Sequence, residues 1–125
     1  NGRVHEFVPV TRVANHTRGY NRQSVGIELV NRGRYPNWFD SRHQQMTEPY
    51  TAEQISALRG LLSQLTSALP RLAYIAGHEA LDSAEISASD DASKRVFRKR
   101  DPGPMFPWTD VLAGLTLAPL PTDTE

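Results

Sequence analysis

Apolar side chains recur at spacings of three and four from Ile55 through Leu58, Leu62 and Leu65 to Leu69, the signature of one helical face. Thr51 and Gln54 precede the run at capping-box spacing and Pro70 follows it, so the pattern predicts a helix whose leucine stripe packs into a core. Strict alternation marks Ser24 to Asn31, with Val25, Ile27 and Leu29 on one face and Gly26, Glu28 and Val30 on the other, which predicts a strand. Val4 to Val10 is rich in β-branched and aromatic residues and predicts a second strand ending near Pro9. A short apolar run from Leu72 to Ala76 predicts a buried strand that ends at Gly77 and His78.

Between these elements the chain turns polar. Arg12 to Gln23 reads as a loop, and Arg32 to Tyr50 as a long irregular insert whose Trp38 and Phe39 argue for order. Glu79 to Val96, charged and serine-rich, reads as a surface loop. Thr109 to Leu115 predicts a short helix with Thr109 as N-cap, and Pro119 onward a frayed end. Strands mixed with one long helix predict an α/β fold, a mixed central β-sheet flanked by helices. Asn1-Gly2 is a hairpin-turn pair with no strand before it, so the chain is expected to begin inside a fold.

A length of 125 residues suits one domain. The 14 basic and 14 acidic side chains balance, which offers no electrostatic case for nucleic acid or an anionic membrane. No apolar run reaches membrane-spanning length. Cysteine is absent, so a metal here would take His, Asp or Glu donors.

Candidate chemistry gathers at the stretch from Arg98 to Trp108, where Pro102, Gly103, Pro104 and Pro107 make a stiff, non-helical bend beside Asp101. Such a bend holds a carboxylate in place, and it is also an ordinary way to build a loop. His78 at a strand end, Asp101 in the bend and Glu28 on a neighbouring strand are three groups that folding could bring together. A catalytic zinc site takes three protein ligands plus water, whose pKa the metal lowers to about 7. In such a site Glu28 would accept the water's proton and Lys99 would face a developing oxyanion. His78 and Asp101 also read as residues that merely satisfy loops.

Ser24-Val25-Gly26-Ile27-Glu28-Leu29, then Gly77-His78, then Lys99-Arg100-Asp101-Pro102-Gly103-Pro104 with Phe106-Pro107-Trp108, resemble in order the zinc-dependent N-acetylmuramoyl-L-alanine amidases, relatives of the peptidoglycan recognition proteins. Asn15 to Asn21 is similar to the stretch before that strand in both groups. The resemblance runs from Asn1 to about Trp108 and implies hydrolysis of the amide between the lactyl group of N-acetylmuramic acid and L-alanine of the stem peptide. It implies that His78 and Asp101 are zinc ligands, Glu28 the general base and Lys99 the stabiliser of the tetrahedral intermediate. His16, Thr17 and Asn21 would line the substrate groove, although His16 also reads as a structural histidine bonded to loop backbone.

Two departures shape the expectation. The family's first zinc ligand is a histidine on a strand that would precede Asn1, so either a companion N-terminal fragment supplies the third donor or His5, His16 or His43 substitutes; the companion is the expectation, because none of those three stands at the matching position. The segment from Glu79 to Arg98 is longer than in compact members and resembles a loop of envelope-associated relatives, which points to the cell envelope, with the cytoplasm as the alternative. The rival function is a non-catalytic peptidoglycan-binding module of the same fold; against it stands the joint presence of Glu28, His78, Lys99 and Asp101.

Overall fold

The computed structural model describes residues 2–7, 9 and 24–120. Its longest element, α1 (Ala52–Ala68), starts as the capping chemistry requires. The Thr51 hydroxyl accepts from Gln54 N at 3.1 Å and the Gln54 side chain accepts from Thr51 N at 3.0 Å. Two amides that a helix start leaves without partners are thereby satisfied. The expected leucine stripe is the core: Leu58 and Leu62 are buried against Phe106, Val111 and Leu117, with Ile55, Leu72 and Ile75 packed around them. Each such side chain contributes about 1.5–3 kcal/mol when fully buried.

Two short strand pairs complete the α/β fold among the described residues. β1 (Tyr74–Ile75) runs parallel to β4 (Ala118–Pro119), extended by Leu120 N donating to Ile75 O at 3.0 Å. α2 (His78–Leu81) follows β1 directly. β2 (Glu85–Ser87) and β3 (Arg95–Phe97) form an antiparallel hairpin with Ile86 opposite Val96. α3 (Trp108–Leu112) packs on α1 through the fully buried Val111, and Arg59 Nη2 donates to Ala113 O at the end of α3 at 2.9 Å.

Helix and sheet combine as expected, but several elements differ from the sequence pattern. Ser24 to Asn31 forms no strand: Val30 O accepts from Gln54 Nε2 at 2.6 Å, and Glu48 takes up the neighbouring Asn31 side chain and Arg32 amide. Side chains thus occupy backbone groups a ladder would use, and the alternation survives only in part: Val25 and Leu29 are half-buried, but Ile27, expected on their face, is exposed together with Gly26, Glu28 and Val30. The described residues of the first expected strand, 4–7 and 9, carry no strand either. The run after Leu72 is a two-residue strand paired with the equally short β4, and its Tyr74 is exposed. The charged segment after Glu79 is not a loop but α2 and the β2–β3 hairpin, held by burial of Val96 and Ala88. The last helix begins at Trp108 rather than after Thr109, with Pro107 as N-cap and the Trp108 ring edge-on to Phe106 at 4.6 Å. Pro119, expected to fray, pairs in β4. Gly2 has φ +74, as a turn glycine would, and Asn1 lies outside the described residues.

Candidate active site

The structure brings His78 and Asp101 into direct contact, with His78 Nδ1 2.7 Å from Asp101 Oδ2. Backbone on both sides sets this approach. Gly77, the N-cap of α2, faces the Asp101–Pro102 peptide so closely that a Cβ there would stand 2.5 Å from Pro102 Cδ. Glu79 N donates to Asp101 O at 3.1 Å, fastening the first turn of α2 to the bend. The other end of α2 is clamped by Arg98, whose Nη2 and Nε donate to Asp82 Oδ2 at 2.7 and 3.1 Å.

The bend is braced from below. Tyr50 Oη donates to Pro102 O at 2.7 Å, and its ring stands edge-on to Phe106, which stands edge-on to Trp108. Burial, together with the nearby charges of Asp101, Glu79 and Glu48, pushes the Tyr50 phenol up to about 12, so it stays a donor at neutral pH. Gly103 takes φ +82, a conformation that favours glycine, and Met46 lies against it. Beside the bend lies an open groove of about 790 Å³ lined by residues including Arg42, Gln44, Thr47, Arg100 and Pro104. A molecule lying there would touch the residue next to Asp101.

The other candidates are placed differently. Glu28 is exposed on the extended segment and Lys99 is half-buried two residues before Asp101; neither hydrogen bonds or pairs with His78 or Asp101. His16, Thr17 and Asn21 lie outside the described residues. Among the alternative imidazoles, exposed His5 stacks on Phe7 at 6.2 Å and His43 lies 3.2 Å from Asp40, so each is engaged elsewhere.

Imidazole nitrogen and carboxylate oxygen are both zinc donors with bonds of about 2.0–2.2 Å. Two such atoms 2.7 Å apart are at hydrogen-bond distance, and to share one tetrahedral ion they would part to about 3.4 Å. The donor types fit a metal, and their juxtaposition leaves only that small separation to make. Among the described residues no group of three His, Cys, Asp or Glu completes a set.

Sequence reasoning passed over two residues of this region. Tyr50 was the end of an irregular insert, yet its hydroxyl holds the bend. Arg34, in the same insert, is buried and donates to the backbone just before Lys99. Neither had a local signal, because both act across more than fifty positions of sequence.

The family profile described as N-acetylmuramoyl-L-alanine amidase matches residues 1–104. Neither a curated protein nor a solved structure matches the chain.

Proposed function

The chain belongs to the N-acetylmuramoyl-L-alanine amidase family, whose members are generally hydrolases acting on peptidoglycan, and from that membership we propose that it is a zinc-dependent amidase cutting between the lactyl group of N-acetylmuramic acid and L-alanine. The observation that carries the reading is the 2.7 Å contact between His78 Nδ1 and Asp101 Oδ2, two zinc-donor atoms facing one another at a braced bend. His78 and Asp101 would hold the ion, with a third donor from outside the described residues, supplied by a companion N-terminal segment. Bound there, zinc would supply Lewis-acid polarisation and hydroxide at neutral pH.

The chain's own residues do the rest. Glu28 accepts a proton from the attacking water and returns it to the leaving amine. Lys99 sets a positive charge where the carbonyl oxygen becomes an anion. His16, Thr17 and Asn21, outside the described residues, would contact sugar and stem peptide. The setting proposed is the cell envelope; no described helix is long and apolar enough to cross a membrane.

The same contact supports a second arrangement. An imidazole Nδ1–H donating to a carboxylate is the usual way a ligand histidine is oriented. Asp101 would then fix the His78 tautomer and leave Nε2 for the ion.

Zinc content and cleavage of muropeptides, measured together on the assembled protein, test the proposal. About one zinc per assembly and loss of cleavage on chelation are expected. An assembly that binds peptidoglycan, carries no zinc and leaves muropeptides uncut would be a binding module, and the amidase reading would fail.

A further inference from the structure

Arg34 is the buried charged side chain among the described residues, 6% exposed. Its Nη1 donates to Phe97 O and to Gln44 Oε1, both at 2.7 Å, and its Nη2 donates to Arg98 O at 3.2 Å. The guanidinium also lies over the Phe39 ring, 5.6 Å from its centre. Gln44 is itself fixed, since its Nε2 donates to Trp38 O at 3.0 Å and Asp40 O at 2.7 Å.

The two carbonyls that Arg34 holds are where the chain leaves β3 and runs through Lys99 and Arg100 to Asp101. A planar guanidinium bonded to consecutive carbonyls fixes both the direction and the rotation of that exit, which a single point donor cannot do. Burial and the nearby Arg100 push the Arg34 guanidinium down, while Asp101 opposes them. Keeping a cation buried against neutral acceptors is costly for folding, and removing it would leave the Phe97 and Arg98 carbonyls without that donor. Three fixed acceptors around one planar cation tie the exit of β3 to the insert that carries Arg34 and Gln44.

We infer that Arg34 is a positioning residue, whose hold on the Phe97 and Arg98 carbonyls aims the Lys99–Asp101 segment so that the Asp101 carboxylate meets the His78 imidazole. Its consequence for metal rests on the proposed role of His78 and Asp101, but its effect on their contact does not.

The test uses Arg34→Met and Arg34→Lys in the whole chain, with Arg59→Met as a control that removes a helix-end bond far from the bend. The first readout is the hydrogen-bonded imidazole N–H signal of His78 in metal-free protein, identified by its loss in Asp101→Ala. Arg34→Met should abolish or broaden it, Arg34→Lys should give an intermediate signal, and Arg59→Met should leave it in place while lowering the melting temperature. The second readout is affinity for zinc ion alone, expected to weaken about 10–100-fold in Arg34→Met, the range for losing a support of a metal ligand. If the His78 signal is the same in both Arg34 variants as in the parent, the inference is overturned, whatever zinc does. If the signal shifts but the assembled parent protein binds no zinc, the positioning role stands and the zinc proposal falls. Should Arg34→Met fail to fold, Arg34→Lys and Gln44→Met, which removes one of the three bonds, carry the same comparison, and unchanged His78 signals in both would overturn the inference.

Discussion

Gly77 and Pro102 meet so closely that no β-carbon fits between them: one built on Gly77 would lie 2.5 Å from Pro102 Cδ. This approach lets α2 begin against the bend and puts His78 beside Asp101. The proline ring is not the free end of a flexible side chain, so the backbone would have to give way.

Gly77→Ala should therefore destabilise the protein by about 1–3 kcal/mol, the usual cost of overpacking. Gly60→Ala should do the opposite. Gly60 lies inside α1 with nothing within 4 Å of its added Cβ, and alanine there should stabilise by about 0.5–1 kcal/mol. Urea unfolding of both variants checks the pair; an unaffected Gly77→Ala would show that the bend and α2 are not locked together.

Glu28→Ala should lower turnover about 10²–10⁴-fold and leave zinc content unchanged, as removal of a general base does. Asp101→Ala should lose metal and activity together. Loss of metal in Glu28→Ala would reassign Glu28 as a ligand or a prop, and full retention of both in Asp101→Ala would leave Asp101 as a bend residue only.

The Tyr50 phenol, raised to about 12, favours the folded state while it stays neutral. An unfolded tyrosine ionises near pH 10. The contribution is therefore fully present below about pH 10 and is lost as pH rises through about 12. Alkaline titration followed by tyrosinate absorbance should show a late phase that disappears in Tyr50→Phe. The variant should also weaken the bend, since Pro102 O loses its donor.

At the acid end, the Ser41 amide and hydroxyl both donate to Asp90 at 2.7 Å and hold its carboxyl below the usual range, opposed by partial desolvation and, less, by nearby Asp40. Arg42 and His43 hold the Asp40 carboxyl well below that range as well, with Arg42 the larger cause. A lowered carboxyl stabilises the fold above its unfolded value of about 4, and that help is lost as pH falls through the folded value. Asp90→Ala should be less stable at neutral pH and lose less on acidification than the parent. Parallel pH profiles of the two proteins would show that the Ser41–Asp90 contact contributes nothing.

The residues of α1 determined that helix, because a capping box, a leucine stripe and a closing proline all act within a few turns of one another. The Asp101–Pro104 bend was legible for the same reason: proline and glycine restrict or free their own backbone wherever they stand. Ordered motifs likewise carried the family, which residues 1–104 match. Only the tertiary structure decided what depended on a distant partner. Ser24 to Asn31 alternates like a strand, but a ladder needs a second backbone, and Gln54 and Glu48 engage it instead. Ile86 and Val96 lie in a segment too charged to read as sheet until each meets the other across the hairpin. Arg34 looked like any loop arginine, since burying a cation becomes tolerable only when acceptors from the far end of the chain close around it.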